Sequence, residues 1–143
     1  MSITTPHQHE KEEALSSLNY RILVVDDEPS LCQALAMGLA STEFTVDVAA
    51  NGERGVELAC TGKYDIVIVD LCLPDMDGMQ VIRAIKANHP EVIPIVVTAH
   101  STEESTIEAR QSGVSHYLEK PFTLKSIKAA VAEGLAARNA ARD

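Results

Sequence analysis

Long apolar runs are missing from this sequence. No segment approaches the roughly 18 consecutive apolar residues that a transmembrane helix requires. Residues 1–19 also lack the basic start and the apolar middle of a signal peptide. We therefore expect a cytoplasmic protein with no membrane segment.

Cysteine is also scarce. Cys32, Cys60 and Cys72 are odd in number, and no two of them have the CxxC spacing. This pattern indicates neither a disulfide framework nor a zinc site. We expect reduced thiols that are mostly buried.

Positive charge is in short supply, with 12 Lys and Arg residues against 21 Asp and Glu residues and a formal net charge of −9. The basic residues are scattered along the chain, which argues against direct binding of nucleic acid. An excess of acids usually means a soluble surface, but carboxylates that are close together can hold a divalent cation. The positions of the acids decide between these two interpretations.

What the sequence does contain is a chain of single-domain length in which strand and helix patterns alternate. We divide it into a polar tail at 1–19, with a loose helical turn at Glu10–Leu18, a domain at 20–138, and a tail or linker start at 139–143. Short apolar runs typical of buried strands lie at Ile22–Val25, Phe44–Val48, Ile66–Val69, Ile93–Val97 and Ser115–Leu118.

Helical patterns lie between these strands and after the last one. Pro29 and Asp77 stand where two of the helices would begin. The segment Thr102–Ser112 has almost no apolar residues, so we expect its helix to be weakly anchored. Apolar residues recur at helical spacing at Leu31, Leu35 and Leu39, at Val81, Ile82 and Ile85, and at Leu124, Ile127, Val131 and Leu135.

Alternating strands and helices predict a doubly wound α/β fold, with a parallel sheet and helices on both faces. Ligands of such sheets bind at the carboxyl ends of the strands. Polar residues follow four of the five predicted strands at this edge, namely Asp26-Asp27, Asp70, Thr98 and Glu119-Lys120. Each of them alone has an ordinary explanation: Asp26-Asp27 could cap a helix, and Thr98 could be a plain strand residue.

Asp70 is the most informative of these residues, because an unpaired carboxylate after a buried strand is costly. Three carboxylates converging on one edge would repel one another unless a cation neutralised them, and Mg²⁺ prefers oxygen ligands. Lys120 would add an ammonium and Thr98 a hydroxyl. Such a combination suits a phosphoryl group, whose negative charge is spread over three oxygens.

Four ordered motifs, LVVDDEPS, IVIVDLCLPDMDG, IVVTAH and YLEKPF, closely resemble the receiver domain of bacterial two-component response regulators. The resemblance covers about residues 20–138. It implies a flavodoxin-like, five-stranded sheet in the order 2-1-3-4-5, and a cis peptide bond between Lys120 and Pro121.

The resemblance also implies a reaction. Asp70 would accept a phosphoryl group from a phosphohistidine on a sensor histidine kinase or a histidine phosphotransfer protein. Asp27 and Asp70 would ligate Mg²⁺ directly, together with the backbone carbonyl of Cys72, while Asp26 would act mainly through water. The protein would then be a phosphoacceptor that supports its own phosphorylation and dephosphorylation, and not an enzyme in the usual sense.

Further residues would bind the phosphoryl group or change conformation in response to it. Lys120 and Thr98 would contact the phosphoryl oxygens, and Tyr117 would change its rotamer on phosphorylation. The face formed by Thr102–Ser112, Ser115–Leu118 and the last helix would act on a downstream protein partner or on an output domain that is not in this chain.

Two other functions remain open from the residues alone. A phosphohydrolase with an aspartyl nucleophile would need a second acid two residues after Asp70, where this chain has Cys72. A pseudo-receiver that binds partners without phosphorylation would not need the full set of Asp27, Asp70, Thr98 and Lys120.

Overall fold

The computed structural model describes residues 19–142, so the helical turn predicted at Glu10–Leu18 lies outside the described residues. Five strands and five helices alternate along this part of the chain. They are β1 (Tyr20–Val25), α1 (Pro29–Leu39), β2 (Phe44–Ala49), α2 (Gly52–Thr61), β3 (Ile66–Asp70), α3 (Gly78–Asn88), β4 (Ile93–Thr98), α4 (Glu103–Gln111), β5 (His116–Glu119) and α5 (Leu124–Arg142).

The strands form one parallel sheet in the order β2-β1-β3-β4-β5, which confirms the predicted fold and strand order. The register sets the carboxyl ends of the central strands side by side, because Val25 pairs with Val69 and Asp70 with Val97. Asp26, Asp70 and Thr98 therefore lie along the same edge of the sheet. We call this edge, with the loops that follow its strands, the carboxyl edge.

Each face of the sheet has its own hydrophobic core, which explains why the central strands are continuously apolar. On one face, side chains such as Ile22 and Ile68 pack against α1 and α5. On the other, alternate residues such as Leu23 and Val69 pack against α2 and α3. Because successive side chains of a strand point to opposite faces, both cores draw on every central strand.

The helix α4 is the weakly anchored one, as the sequence predicts. Ala109 is its only buried residue, and the side chain of Ile107 remains 47% exposed. Thr102 caps its start by accepting a hydrogen bond from the backbone N–H of Ser105. The helix is thus held more by its local hydrogen bonds than by burial of apolar surface.

The last helix continues to Arg142, through most of the segment that the sequence analysis assigned to a tail. Its final turns have partners at the amino end of the sheet: Asn139 donates a hydrogen bond to the hydroxyl of Tyr20, and Arg142 pairs with Glu91. Within residues 19–142, no helix combines the length and the apolar character needed to cross a membrane.

One prediction about the thiols is wrong. Cys32 is buried, but Cys60 and Cys72 are both exposed. Cys60 lies near the end of α2, on the side that faces solvent, and Cys72 lies in the loop after β3. All three thiols are free, as expected. Burial raises the pKa of Cys32 to about 11, so this thiol is protonated at neutral pH.

Candidate functional site

Three carboxylates meet at the carboxyl edge. Asp26, Asp27 and Asp70 each offer an oxygen atom, and these atoms all lie within 4.8 Å of one another. Asp26 is 1% exposed and Asp70 is 4% exposed, whereas Asp27 faces solvent. We call these three residues the acid cluster.

The two buried aspartates are oriented in the same way by the local backbone. Asp26 accepts a hydrogen bond from the N–H of Glu28 through Oδ1 (2.9 Å), and Asp70 accepts one from the N–H of Cys72 through Oδ1 (3.0 Å). Each turn immediately after a strand thus fixes one carboxylate oxygen. The second oxygen, Oδ2, is left to face the centre of the edge.

Lys120 lies where these second oxygens converge. Its Nζ is 2.9 Å from Oδ2 of Asp26 and 3.0 Å from Oδ2 of Asp70, and its side chain is only 11% exposed. It also donates a hydrogen bond to Oε1 of Glu28 at 3.0 Å. Burial alone would lower the pKa of Lys120, but the three carboxylates outweigh it, so the pKa is raised and the ammonium stays charged. The Lys120–Pro121 peptide bond is cis, as the resemblance implied.

The acid cluster remains short of positive charge in spite of Lys120. Burial raises the pKa of Asp26, and the Glu28 N–H and Lys120 offset only part of this effect. Oδ2 of Asp26 is buried and, although close to the ammonium, has no hydrogen-bond donor among the described residues. Three carboxylates at this spacing are the ligand set of a hard divalent cation, and the residues present fit one.

The loop after β3 approaches the backbone of Asp70 very closely. A Cβ added to Gly78 would lie 2.3 Å from the carbonyl oxygen of Asp70 and 2.7 Å from Cα of Leu71. Only glycine fits at this position without moving the backbone. The loop is closed by a bridge between Cys72 and Asp77 and by the hydrogen bond from the Gly78 N–H to the Leu71 carbonyl (3.0 Å).

Asp75 ties this same loop to the start of α2. Its two carboxylate oxygens accept hydrogen bonds from the N–H groups of Gly52 and Glu53, each at 2.8 Å. These hydrogen bonds hold the pKa of Asp75 below its ordinary value. The local sequence does not indicate this role of Asp75, because its partners lie more than twenty residues earlier in the chain.

Thr98 and Tyr117 lie outside the acid cluster. Thr98 is fully buried at the end of β4, where its hydroxyl accepts a hydrogen bond from the N–H of His100 (3.2 Å). Tyr117 is half-buried on β5, and its hydroxyl shares a hydrogen bond with Ser105 of α4 (2.8 Å). No hydrogen bond joins Thr98 to Tyr117 within residues 19–142, so their coupling stays a prediction.

The structure therefore brings four of the predicted site residues, Asp26, Asp27, Asp70 and Lys120, into direct proximity. It also adds Glu28, which the sequence analysis missed. The only available signal was its place directly after the acid pair, because its partner Lys120 lies 92 residues later.

Comparison with known proteins agrees with this geometry. The family model for the response regulator receiver domain matches residues 22–132. The transcriptional regulatory protein CusR of Escherichia coli is 36% identical over 111 residues, which are 78% of this chain and 49% of CusR. The chain thus spans about half the length of the curated relatives it matches.

Solved structures show the same fold. A CheY-like response regulator receiver domain protein from Methanospirillum hungatei matches with a TM-score of 0.81 at 23% identity, covering 85% of this chain and 97% of that one. A response regulator protein from Burkholderia pseudomallei, solved with a phosphorylated aspartic acid, a calcium ion and citrate, matches with a TM-score of 0.74 at 28% identity. That match covers 87% of this chain and 75% of the other. With the family model, the strand order and the acid cluster in agreement, the chain belongs to the receiver domain family of two-component response regulators.

Proposed function

We propose that Asp70 accepts a phosphoryl group from a phosphohistidine on a sensor histidine kinase or a histidine phosphotransfer protein, in a reaction that requires Mg²⁺. The observation that carries this proposal is the position of the Asp70 carboxylate. It is buried at a strand end, it lies in the acid cluster, and its Oδ2 is 3.0 Å from the Lys120 ammonium. Phosphorylation chemistry is typical of the family.

In the forward step, a carboxylate oxygen of Asp70 attacks phosphorus and the P–N bond of the phosphohistidine breaks. The electron pair of that bond returns to the imidazole nitrogen, and an acyl phosphate forms on Asp70. Lys120 would bind one phosphoryl oxygen, and Thr98 would donate a hydrogen bond to another. The rigid strand β3 supplies the positioning that this step needs.

The acid cluster would hold the metal ion, with Asp27, Asp70 and the carbonyl of Cys72 as direct ligands and Asp26 acting through water. Bound Mg²⁺ would supply positive charge that neutralises the phosphoryl oxygens. In the separate dephosphorylation step, water would attack phosphorus, the P–O bond to Asp70 would break, and inorganic phosphate would leave the free Asp70 carboxylate. The exposed residues Cys72 and His100 flank this path at the carboxyl edge and would tune its rate.

Output would use the face formed by α4, β5 and α5. Thr98, at the end of β4, would move toward a phosphoryl oxygen, and Tyr117 of β5 would turn into the space it leaves. The element that responds to phosphorylation would be a separate protein partner or an output domain carried by a longer chain. The relatives of about twice this length are transcriptional regulators, so such an output domain would be the part that binds DNA. We propose that the receiver domain itself works in the cytoplasm.

Neither alternative function is favoured. A pseudo-receiver has no need of an acid cluster with a buried lysine, and this site has both. A phosphohydrolase of the aspartyl type would need an acid where Cys72 stands. Cys72 is a free, exposed thiol and not a carboxylic acid.

The proposal predicts which residue gains mass. Incubation with acetyl phosphate and Mg²⁺ should add one phosphoryl group to the intact protein, and EDTA should prevent the gain. Asp70→Asn should gain nothing, because an amide is not a nucleophile at this position. A phosphoryl group on Asp70→Asn, or on the wild type without a divalent cation, would contradict the assignment.

A further inference from the structure

Three carboxylates surround the Lys120 ammonium, and only two of them belong to the predicted reaction. Glu28, Asp26 and Asp70 all lie within 3.0 Å of its Nζ. The ammonium donates hydrogen bonds to Glu28 and Asp70 and lies 2.9 Å from Asp26, so carboxylates already surround it where an incoming phosphoryl oxygen would bind. Lys120 can bind a phosphoryl oxygen only if one of these contacts is given up.

Glu28 is the neighbour that can leave at low cost. Asp26 and Asp70 are buried and fixed by backbone hydrogen bonds, whereas the side chain of Glu28 is 55% exposed. Glu28 stands at the N-cap position of α1, yet its side chain makes no capping hydrogen bond. Among the described residues, its carboxylate is held only by Lys120.

We propose that Glu28 regulates phosphorylation by occupying, on Lys120, the place that a phosphoryl oxygen takes when Asp70 is phosphorylated. This inference rests on the proposed function. Glu28 and the phosphoryl oxygen compete for one donor, so phosphorylation must displace the Glu28 carboxylate into solvent. When the acyl phosphate is hydrolysed, the Glu28 carboxylate returns and pairs with the Lys120 ammonium again.

Glu28 acts as a brake in this scheme through its contact with Lys120. That contact stabilises the unphosphorylated state and is absent when a phosphoryl oxygen takes its place. Because the contact is half-exposed, its strength is that of a surface ion pair. Removing the charge should therefore speed phosphorylation by about twofold to fivefold and should not change it by orders of magnitude.

The test compares Glu28→Gln with the wild type and with a matched control, Glu53→Gln. Glu53 lies at the start of α2 on the same edge of the sheet, and the described residues give it no ion pair. Both variants lose one negative charge, but only the first frees Lys120. With acetyl phosphate and saturating Mg²⁺, Glu28→Gln should be phosphorylated about twofold to fivefold faster, and Glu53→Gln should match the wild type.

Two further measurements separate this role from a structural one. The affinity for beryllofluoride, a phosphoryl mimic, should rise in Glu28→Gln by a similar factor, and added salt should reduce the difference from the wild type because it screens an exposed pair. In a Lys120→Ala background, Glu28→Gln should leave the beryllofluoride affinity unchanged, since Glu28 acts only through Lys120.

Equal or slower phosphorylation of Glu28→Gln, at unchanged melting temperature, would overturn the proposal. So would a gain of the same size in Glu53→Gln, or a gain that persists in the Lys120→Ala background. Failure of the proposed function looks different, because then the wild type and every variant would gain no phosphoryl group.

Discussion

Residues at the carboxyl edge differ in the contacts that they make. Asp26 and Asp70 use one oxygen to close a turn and present the other to Lys120. Thr98 is buried at a strand end, and its hydroxyl already accepts a hydrogen bond. Gly78 contributes no polar side chain at all, but its missing Cβ allows the loop to lie against Asp70.

Gly78→Ala should be destabilising, because the added methyl group would meet backbone atoms of Asp70 and Leu71, which cannot rotate away. We expect the free energy of unfolding to fall by about 1–3 kcal/mol in urea titrations. Gly38→Ala is a suitable control, since its added methyl group would meet only the flexible end of Leu124. A Gly78→Ala protein as stable as Gly38→Ala would mean that the loop after β3 adapts freely.

At the scale of secondary-structure elements, prediction from sequence works where an element is stabilised by its own residues. The central strands are apolar throughout, and α5 has an apolar stripe, so both could be recognised locally. The helix α2 is different, because much of its hydrogen bonding at the start comes from the distant Asp75. No local sequence pattern around Gly52 predicts that Asp75 accepts these hydrogen bonds.

The Asp75 cap should make the stability of α2 depend on pH. The pKa of Asp75 is lowered in the folded protein, so its ionised form favours folding at pH values above the ordinary carboxyl value of 3.8. This contribution is lost as the pH falls through the lowered pKa. Asp75→Asn should therefore unfold at a lower urea concentration than the wild type at pH 7, and the two proteins should converge as the pH drops below about 3.8. A difference that is constant from pH 7 to pH 3 would contradict the charged cap.

The helix α4 should respond to a phosphoryl mimic because it has little buried surface to lose. Hydrogen exchange with and without beryllofluoride should change protection across residues 99–118, which include the Ser105–Tyr117 contact. Thr98→Ala should still bind the mimic but transmit less of this change. Changes restricted to Asp70 and its loop would show that this face is not the switch.

For the whole molecule, the alternating pattern predicted a parallel sheet with polar residues at one edge, because strand ends in a parallel sheet share an edge. The strand order came from the resemblance to the receiver family, and the structure confirms it. It could not predict relations between residues far apart in the chain. The contact of Glu28 with Lys120 and the exposure of Cys60 and Cys72 depend on how loops and helices pack. The same holds for the ion pair of Arg142 with Glu91 in the last turn of α5.

Folding and metal binding should be linked through the acid cluster. Three carboxylates converge only in the folded protein, so a divalent cation binds the native state and not the unfolded chain. Mg²⁺ should therefore raise the melting temperature, and each tenfold increase in free Mg²⁺ above its dissociation constant should add about 1.4 kcal/mol of stability.

Asp27→Ala tests this linkage, because it removes the exposed carboxylate of the cluster and leaves the two buried carboxylates in place. Without Mg²⁺ the variant should be at least as stable as the wild type, since one repelling charge is gone. With Mg²⁺ its melting temperature should rise much less, while Glu53→Gln should respond like the wild type. Thermal unfolding followed by circular dichroism across a Mg²⁺ titration gives both quantities, and identical titrations for Asp27→Ala and the wild type would exclude Asp27 as a metal ligand.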